Sequence, residues 1–174
     1  GMVRSVPHPA RADLKVLANP LKLDGQRLDQ VAAPLLGADT AALLQRWRDS
    51  GLLVVISSNN LEQYVERLAS DWPVDCALGY RAPSMDDPGF AKGEPHFGAI
   101  EERFGIDRSA FLFTGDSPND AHIAAAARVR FRALLTDAFG PEDFERAVPG
   151  TQTLMNLADL GDHIATVADA VTSL

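Results

Sequence analysis

The sequence is poor in cysteine: its single residue of this type, Cys76, cannot form a disulfide within the chain. Cys76 stands in an apolar stretch, where we expect a small buried residue rather than a reactive thiol. This cysteine usage favours a reducing compartment, so we expect a cytoplasmic location. No apolar run approaches the roughly 20 residues of a membrane helix and no signal-peptide pattern is present, so we expect no membrane partner.

Positive charge is also scarce. The chain has 16 Lys and Arg residues against 24 Asp and Glu residues, which gives a net charge of −8 at pH 7. Nonspecific binding of nucleic acid requires a basic patch. Arg128, Arg130 and Arg132 alternate along a predicted strand, where we expect them to form its solvated face. We therefore expect no nucleic-acid partner.

The length of 174 residues fits a single domain, which would bury about two-thirds of the surface of the unfolded chain. The apolar fraction of 46% and the charged fraction of 23% are typical of a soluble globular protein. Residues 1–13 are rich in Pro, Arg and His, and we expect an irregular arm in which Gly1 is a tag remnant. Residues 14–174 are predicted to form one domain.

Short apolar runs alternate with helical patterns along this domain. Strands are predicted near 14–18, 52–56, 74–78, 111–114 and 131–136, and helices near 40–50, 60–69, 95–104, 121–127 and 151–171. Alternation of strand and helix is typical of a parallel sheet with helices on both faces. We therefore predict an α/β fold: a three-layer α/β/α sandwich around a mainly parallel, doubly wound, Rossmann-like sheet.

A strand that ends in acidic residues is the most informative feature of the chain. Residues 111–120 read Phe-Leu-Phe-Thr-Gly-Asp-Ser-Pro-Asn-Asp. Open α/β sheets bind ligands at the carboxyl ends of their strands. Asp116 and Asp120 could converge across a turn on one Mg²⁺ ion, which prefers a few oxygen ligands plus water. The alternative interpretation is local, with Ser117 or Asn119 capping the next helix.

Other polar residues follow the remaining predicted strands. They are Asn19, Ser57 with Ser58, and Arg81. Because the carboxyl ends of parallel strands share one edge of a sheet, we expect these residues to meet Asp116 there.

Two histidines and a lysine lie near these segments. Lys92 stands in a loop before a predicted helix, where a lysine is most often simply solvated. His96 and His122 lie on predicted helices, and we interpret both as helix-surface residues rather than metal ligands.

Three segments in one order resemble the motifs of the haloacid dehalogenase (HAD) superfamily, whose members are mostly Mg²⁺-dependent phosphatases. The segments are Ser-Asn-Asn at 58–60, Lys92, and Gly-Asp-x-x-x-Asp at 115–120. The resemblance covers most of the chain and implies a HAD-like fold. It also implies a phosphate-binding set and a metal pair, which are Ser58, Asn59 and Lys92 for phosphate and Asp116 and Asp120 for Mg²⁺. A hydroxyl, an ammonium and a cation are suitable groups for holding a phosphoryl group.

The first motif of that family, Asp-x-Asp after the first strand, has no match. In the family the first Asp attacks phosphorus and the second transfers protons. Here Asn19 stands at the nucleophile position and Leu21 at the acid/base position, and neither side chain can perform that chemistry. A second register would place Lys22 and Asp24 at these positions, and it still has no carboxylate nucleophile.

We therefore expect a HAD-like protein that keeps a phosphate and Mg²⁺ pocket but is weak or inactive as an enzyme. Such a pseudoenzyme would serve as a binding or regulatory module. One alternative is an active Mg²⁺-dependent phosphomonoester hydrolase that uses another arrangement, and another is an interaction scaffold without a ligand.

The spacing of the motifs leaves no room for a substantial cap domain. Capless members of the family act on large substrates or complete their site with a neighbouring subunit. We therefore expect a phosphorylated small molecule or macromolecule as the partner, and a homo-oligomer is compatible with this arrangement.

Overall fold

The computed structural model describes residues 38–161. The predicted strand at 14–18, with Asn19 and Leu21, lies outside the described residues, as do residues 162–174. The described chain divides into two compact units, residues 38–96 (the amino unit) and residues 97–161 (the carboxyl unit). The prediction of one domain over residues 14–174 stays a prediction, and each unit is described by itself.

The amino unit is built around two parallel strands. Its elements are α1 (Ala38–Asp49), β1 (Val55–Leu61), α2 (Glu62–Ala69) and β2 (Cys76–Tyr80), and α3 (Glu94–Phe104) begins at its end. Helix α2 packs against both strands and buries Tyr64 and Val65 on its apolar face. Cys76 is buried at the start of β2, as its apolar surroundings predicted.

Asp75 fixes the starts of both strands of the amino unit. One of its carboxylate oxygens accepts a hydrogen bond from the backbone N–H of Val54 at 2.8 Å, and the other accepts from Nε of Arg48 at 3.0 Å. The carboxylate therefore joins the end of α1, the entry to β1 and the entry to β2.

The pairing of β1 with β2 is regular only as far as Ser57. Ser57 pairs with Leu78, and the next pair is Leu61 with Tyr80. Residues 58–60 therefore form a bulge between two ladder positions. The strand predicted at 52–56 begins later and runs further than expected, and the following helix begins at Glu62 rather than at residue 60.

The carboxyl unit has a parallel three-stranded sheet in the order β3-β4-β5. Its elements after α3 are a 3₁₀ turn (Arg108–Ala110), β3 (Leu112–Gly115), α4 (Pro118–Ala127), β4 (Arg130–Leu134), α5 (Pro141–Ala147), β5 (Thr153–Leu154) and a second 3₁₀ turn (Leu157–Asp159). Helix α4 packs against β3, β4 and α5.

Small side chains let α4 lie close to the sheet. Ala121 of α4, Ala133 of β4 and Phe144 of α5 form a buried cluster, against which Phe131 and Val148 pack. Alanine on the helix and on the strand shortens the distance between the two elements, and the Phe144 ring fills the space beside them.

Strands that alternate with helices and pair in parallel confirm the predicted α/β, Rossmann-like class. The helix predicted from residue 151 is wrong in its first part, because Thr153–Leu154 pairs with β4 as strand β5. Helix α5 was not predicted. In the part of the chain described here, none of the helices is both long enough and apolar enough to span a bilayer.

Candidate functional site

Ser58 lies in the bulge of β1 and is buried, with 7% of its surface exposed. Its Oγ accepts a hydrogen bond from the backbone N–H of Asn60 at 3.1 Å. A serine hydroxyl that accepts in this way keeps its proton for donation to another group. Ser58 can therefore donate to an anion while the bulge holds its oxygen in place.

Asn59 bridges the bulge to the Lys92 segment. The backbone N–H of Lys92 donates to Oδ1 of Asn59 at 2.9 Å. The structure therefore brings two of the predicted phosphate-binding residues together, and Asn59 uses its carboxamide oxygen to position Lys92. Binding of phosphate by Asn59, Ser58 and Lys92 stays a prediction.

His96 is fully buried, so its interpretation as a helix-surface residue is wrong. The ring lies 3.0 Å (Nε2) from the carbonyl oxygen of Gly79 and 2.8 Å (Nδ1) from Oγ of Ser57. A carbonyl can only accept, so Nε2 carries the proton, and Nδ1 of the neutral ring accepts from the Ser57 hydroxyl. One histidine of the first turn of α3 thus binds both strands of the amino unit. The interpretation of His122 is confirmed, since this residue is exposed on α4.

The surroundings of His96 favour its neutral form. Burial lowers the pKa of His96 from 6.5 to about 4, the hydrogen bond to Gly79 opposes this shift, and the charge of Lys92 adds to it. Because the pKa in the folded state lies below that of the unfolded chain, acid favours unfolding. The stability contribution is complete above pH 6.5 and is lost as the pH falls toward 4.

We expect the free energy of unfolding to fall by roughly 2 kcal/mol between pH 7.5 and pH 5 through His96 alone. Urea unfolding of the wild type and of His96→Gln at both pH values measures this loss as the difference between the two proteins. His122→Gln is the matched control and should keep the pH dependence of the wild type. Equal pH dependence in all three proteins would contradict the assignment.

Arg81 follows β2 directly, as predicted, but its guanidinium makes contacts within the loop after β2 and with α2. It donates to Asp87 at 2.8 Å and to Glu62 at 3.2 Å, and its guanidinium carbon lies 5.2 Å from the centroid of the Phe90 ring. The backbone N–H of Gly89 and the side chain of Arg81 both lower the pKa of Asp87. Arg81 therefore organises residues 81–90.

The predicted acid pair lies at the junction of β3 and α4 in the carboxyl unit. Asp116 is 4% exposed and Asp120 is 1% exposed. Ser117 caps α4, with its Oγ accepting from the backbone N–H of Asp120 at 3.3 Å, and Pro118 occupies the first helical position. The local interpretation of Ser117 as a cap is therefore confirmed, and the same cap fixes the start of the turn that carries Asp120.

Gly115 makes room for the Asp120 side chain. A Cβ atom at Gly115 would lie 2.5 Å from both Cβ and Oδ2 of Asp120 and 2.7 Å from its Cγ. Such distances are too short for atoms that are not bonded to each other, so a side chain at this position would force Asp120 to move. Asp120 consequently lies against Gly115 at the end of β3, and Gly115 directly precedes Asp116.

The donor set at this strand end fits Mg²⁺. The ion is commonly held by one or two carboxylates with water in its other positions, and buried carboxylates are stabilised by a cation between them. Within residues 38–161, no group of three or more His, Cys, Asp or Glu side chains is placed to hold a metal ion. Binding of Mg²⁺ by Asp116 and Asp120 therefore stays a prediction.

The predicted residues fall into both units. The amino unit holds Ser58, Asn59 and Lys92, and the carboxyl unit holds Asp116 and Asp120. Sequence reasoning missed the roles of Ser57, Gly79, His96 and Gly115. The glycine before Asp116 was a readable signal for close packing, whereas nothing in the sequence distinguishes His96 from an ordinary helix residue.

Comparison with known proteins identifies the fold. No family model matches the sequence, and no curated protein does. One similar solved structure is a candidate phosphoglycolate phosphatase from Lactobacillus delbrueckii subsp. bulgaricus, with 17% identity over 74% of this chain and 53% of that one and a TM-score of 0.63. A second is a predicted phosphatase from Clostridium acetobutylicum, with 16% identity over 75% of this chain and 60% of that one and a TM-score of 0.60. A third is a haloacid dehalogenase-like family hydrolase from Streptococcus pneumoniae, with 13% identity over 70% of this chain and 57% of that one and a TM-score of 0.55.

These likenesses show the fold of the chain. The chain has the α/β fold of the haloacid dehalogenase-like proteins, which confirms the fold that the motifs implied. It spans 53 to 60% of the length of these three structures. The expected lack of a substantial cap stays a prediction.

Proposed function

We propose that this protein is a HAD-like phosphate-binding protein that uses Mg²⁺ and has lost the carboxylate nucleophile of the family. The observation that carries the proposal is the buried pair Asp116 and Asp120, shaped by Gly115 at the end of β3. Two buried carboxylates at a strand end supply the kind of oxygen ligands that Mg²⁺ prefers, so their placement favours a metal-binding role.

The amino unit supplies groups suited to the phosphate. Ser58 keeps a hydroxyl proton for donation, and the bulge of β1 holds its oxygen. Lys92 carries a positive charge, and its backbone is fixed by Asn59. A hydroxyl and an ammonium stabilise the negative oxygens of a phosphoryl group.

The residue at the nucleophile position argues for binding rather than turnover. A carboxamide such as that of Asn19 is a poor nucleophile, and Leu21 cannot transfer a proton. The ligand we propose is a phosphorylated small molecule or macromolecule, and the cytoplasm is the compartment in which we expect it.

Thermal unfolding with MgCl₂ and inorganic phosphate tests the proposal. A ligand at about 100 times its Kd stabilises by roughly 2.7 kcal/mol, which corresponds to a rise in Tm of about 5–10 °C. We expect Asp116→Asn to abolish the rise caused by Mg²⁺ and Ser58→Ala to reduce the rise caused by phosphate. Asp137→Asn, which changes an exposed carboxylate of the same unit, should leave both responses intact. A Mg²⁺ response that survives Asp116→Asn would refute the metal site.

Restoring the missing carboxylates separates a binding protein from an enzyme. We expect Asn19→Asp with Leu21→Asp to raise hydrolysis of a generic aryl phosphate by about 100-fold or more over the wild type, because an attacking carboxylate and a general acid are both supplied. Adding Asp116→Asn to this variant should remove the gain. Wild-type turnover that is already lost in Asp116→Asn would instead support the active phosphatase.

A further inference from the structure

Two hydrogen bonds join β1 to the segment that carries Lys92. The first runs from the backbone N–H of Lys92 to Asn59 in the bulge, and the second runs from the hydroxyl of Ser57, just before the bulge, to His96. Ser58 lies between the two residues of β1 that make these bonds. The two candidate phosphate ligands, Ser58 and Lys92, are therefore each held beside a cross-link.

Of the two hydrogen bonds, the one between Ser57 and His96 has the more firmly held partner, because several contacts fix the His96 ring. This ring is enclosed by the protein, its second nitrogen donates to the Gly79 carbonyl of β2, and the Phe90 ring lies 4.4 Å away, centroid to centroid. A ring held at both nitrogens cannot rotate without breaking a bond. It fixes the direction of the Ser57 hydroxyl, and through Ser57 it fixes the start of the bulge.

A serine, a histidine and a carbonyl in a row also match the layout of a nucleophile, a base and an orienting group. Two observations favour the positioning role over this one. The pKa of about 4 makes His96 a weak base at neutral pH, and the ring is buried against Ser57 and Gly79 rather than in contact with solvent.

We propose that His96 is a positioning residue of the phosphate subsite, which sets the spacing between Ser58 and Lys92 through its bonds to Ser57 and Gly79. The role of this spacing in ligand binding rests on the proposed function. The geometric part of the proposal holds in the protein without ligand and can be measured there.

Two substitutions of His96 separate the effects of its two hydrogen bonds, one to Ser57 and one to Gly79. Asn places an acceptor where Nδ1 lies and can keep the bond from Ser57, whereas Gln places a donor where Nε2 lies and can keep the bond to Gly79. Tyr64→Phe is the control, because it alters a buried side chain of the same unit whose hydroxyl has no hydrogen-bond partner among the described residues.

Amide hydrogen exchange by NMR reports the geometry without ligand. We expect exchange at the N–H groups of Lys92 and Asn60 to accelerate about tenfold in His96→Gln and in Ser57→Ala, the effect of one lost hydrogen bond. His96→Asn should restore most of the protection, and Ile56 in the regular ladder should keep the wild-type rate. Two results would overturn the proposal. One is equal acceleration at Lys92, Asn60 and Ile56 in His96→Gln, and the other is no acceleration at Lys92 in that variant.

Titration with inorganic phosphate completes the test. We expect the Kd for phosphate to rise about tenfold in His96→Gln and to stay at the wild-type value in Tyr64→Phe. A wild type that binds no phosphate would refute the proposed function, while the exchange rates would still decide the role of His96. Covalent labelling of Ser57 by a fluorophosphonate would overturn the positioning role in favour of a nucleophile.

Discussion

Gly79→Ala is expected to lower the free energy of unfolding by about 3 kcal/mol or more. A Cβ atom at this position would collide with Cα of Glu62 and would lie 2.7 Å from its backbone nitrogen and 3.0 Å from the carbonyl oxygen of Asn60. All three are backbone atoms, which cannot turn aside as a side chain can. Urea unfolding and the melting temperature measure the loss.

The matched control for this substitution is Gly98→Ala in α3. No heavy atom would lie within 4 Å of the added Cβ, and alanine is a better helix former than glycine. We expect this variant to gain about 0.5–1 kcal/mol. If Gly79→Ala were as stable as Gly98→Ala, the close crossing of the backbone over β2 would be disproved.

Gly115→Ala is expected to damage both stability and the metal response. The added methyl group would collide with the Asp120 side chain, which is buried and has little space to move. We expect a loss of about 1–3 kcal/mol in the free energy of unfolding. We also expect the Mg²⁺-dependent rise in Tm to disappear, because Asp120 is pushed from its place.

A double variant identifies the collision as the cause. Asp120→Gly removes the atoms that the methyl group would meet, so Gly115→Ala should cost less in that background than in the wild type. The metal response should stay absent in the double variant, because the carboxylate is gone. Additive losses of stability would contradict a direct contact between the two positions.

The fold class could be predicted because the signals were local and repeated. The apolar strand at residues 111–114 and the alanine-rich helix after it were found close to their observed places. The two-residue strand β5 could not be predicted, because so short an element is defined by pairing with β4 rather than by its own residues. The predicted end of β1 was early for a similar reason, since the strand continues past its apolar run through the pairing of Ser57 with Leu78 and of Leu61 with Tyr80.

The residues of the candidate site also fall into those that local sequence signals reveal and those that they do not. Asp116 and Asp120 could be found because their spacing, the preceding glycine and the buried strand stand together in the sequence. Ser57 and His96 could not, because the bond between them joins residues 39 positions apart. Only the folded chain shows that the ring of His96 faces inward.

The bulge of β1 adds residues to this strand relative to β2 without changing which face of the strand Leu61 points to. From Ser57 to Leu61 β1 advances four positions while β2 advances two, from Leu78 to Tyr80, so the excess is two, an even number. Because side chains in a strand point to opposite faces in turn, an even excess returns Leu61 to the face it would have had without the bulge. A change of one residue in the stretch that carries Ser58 would instead turn the side chain of Leu61, the last residue of β1, to the opposite face of the strand.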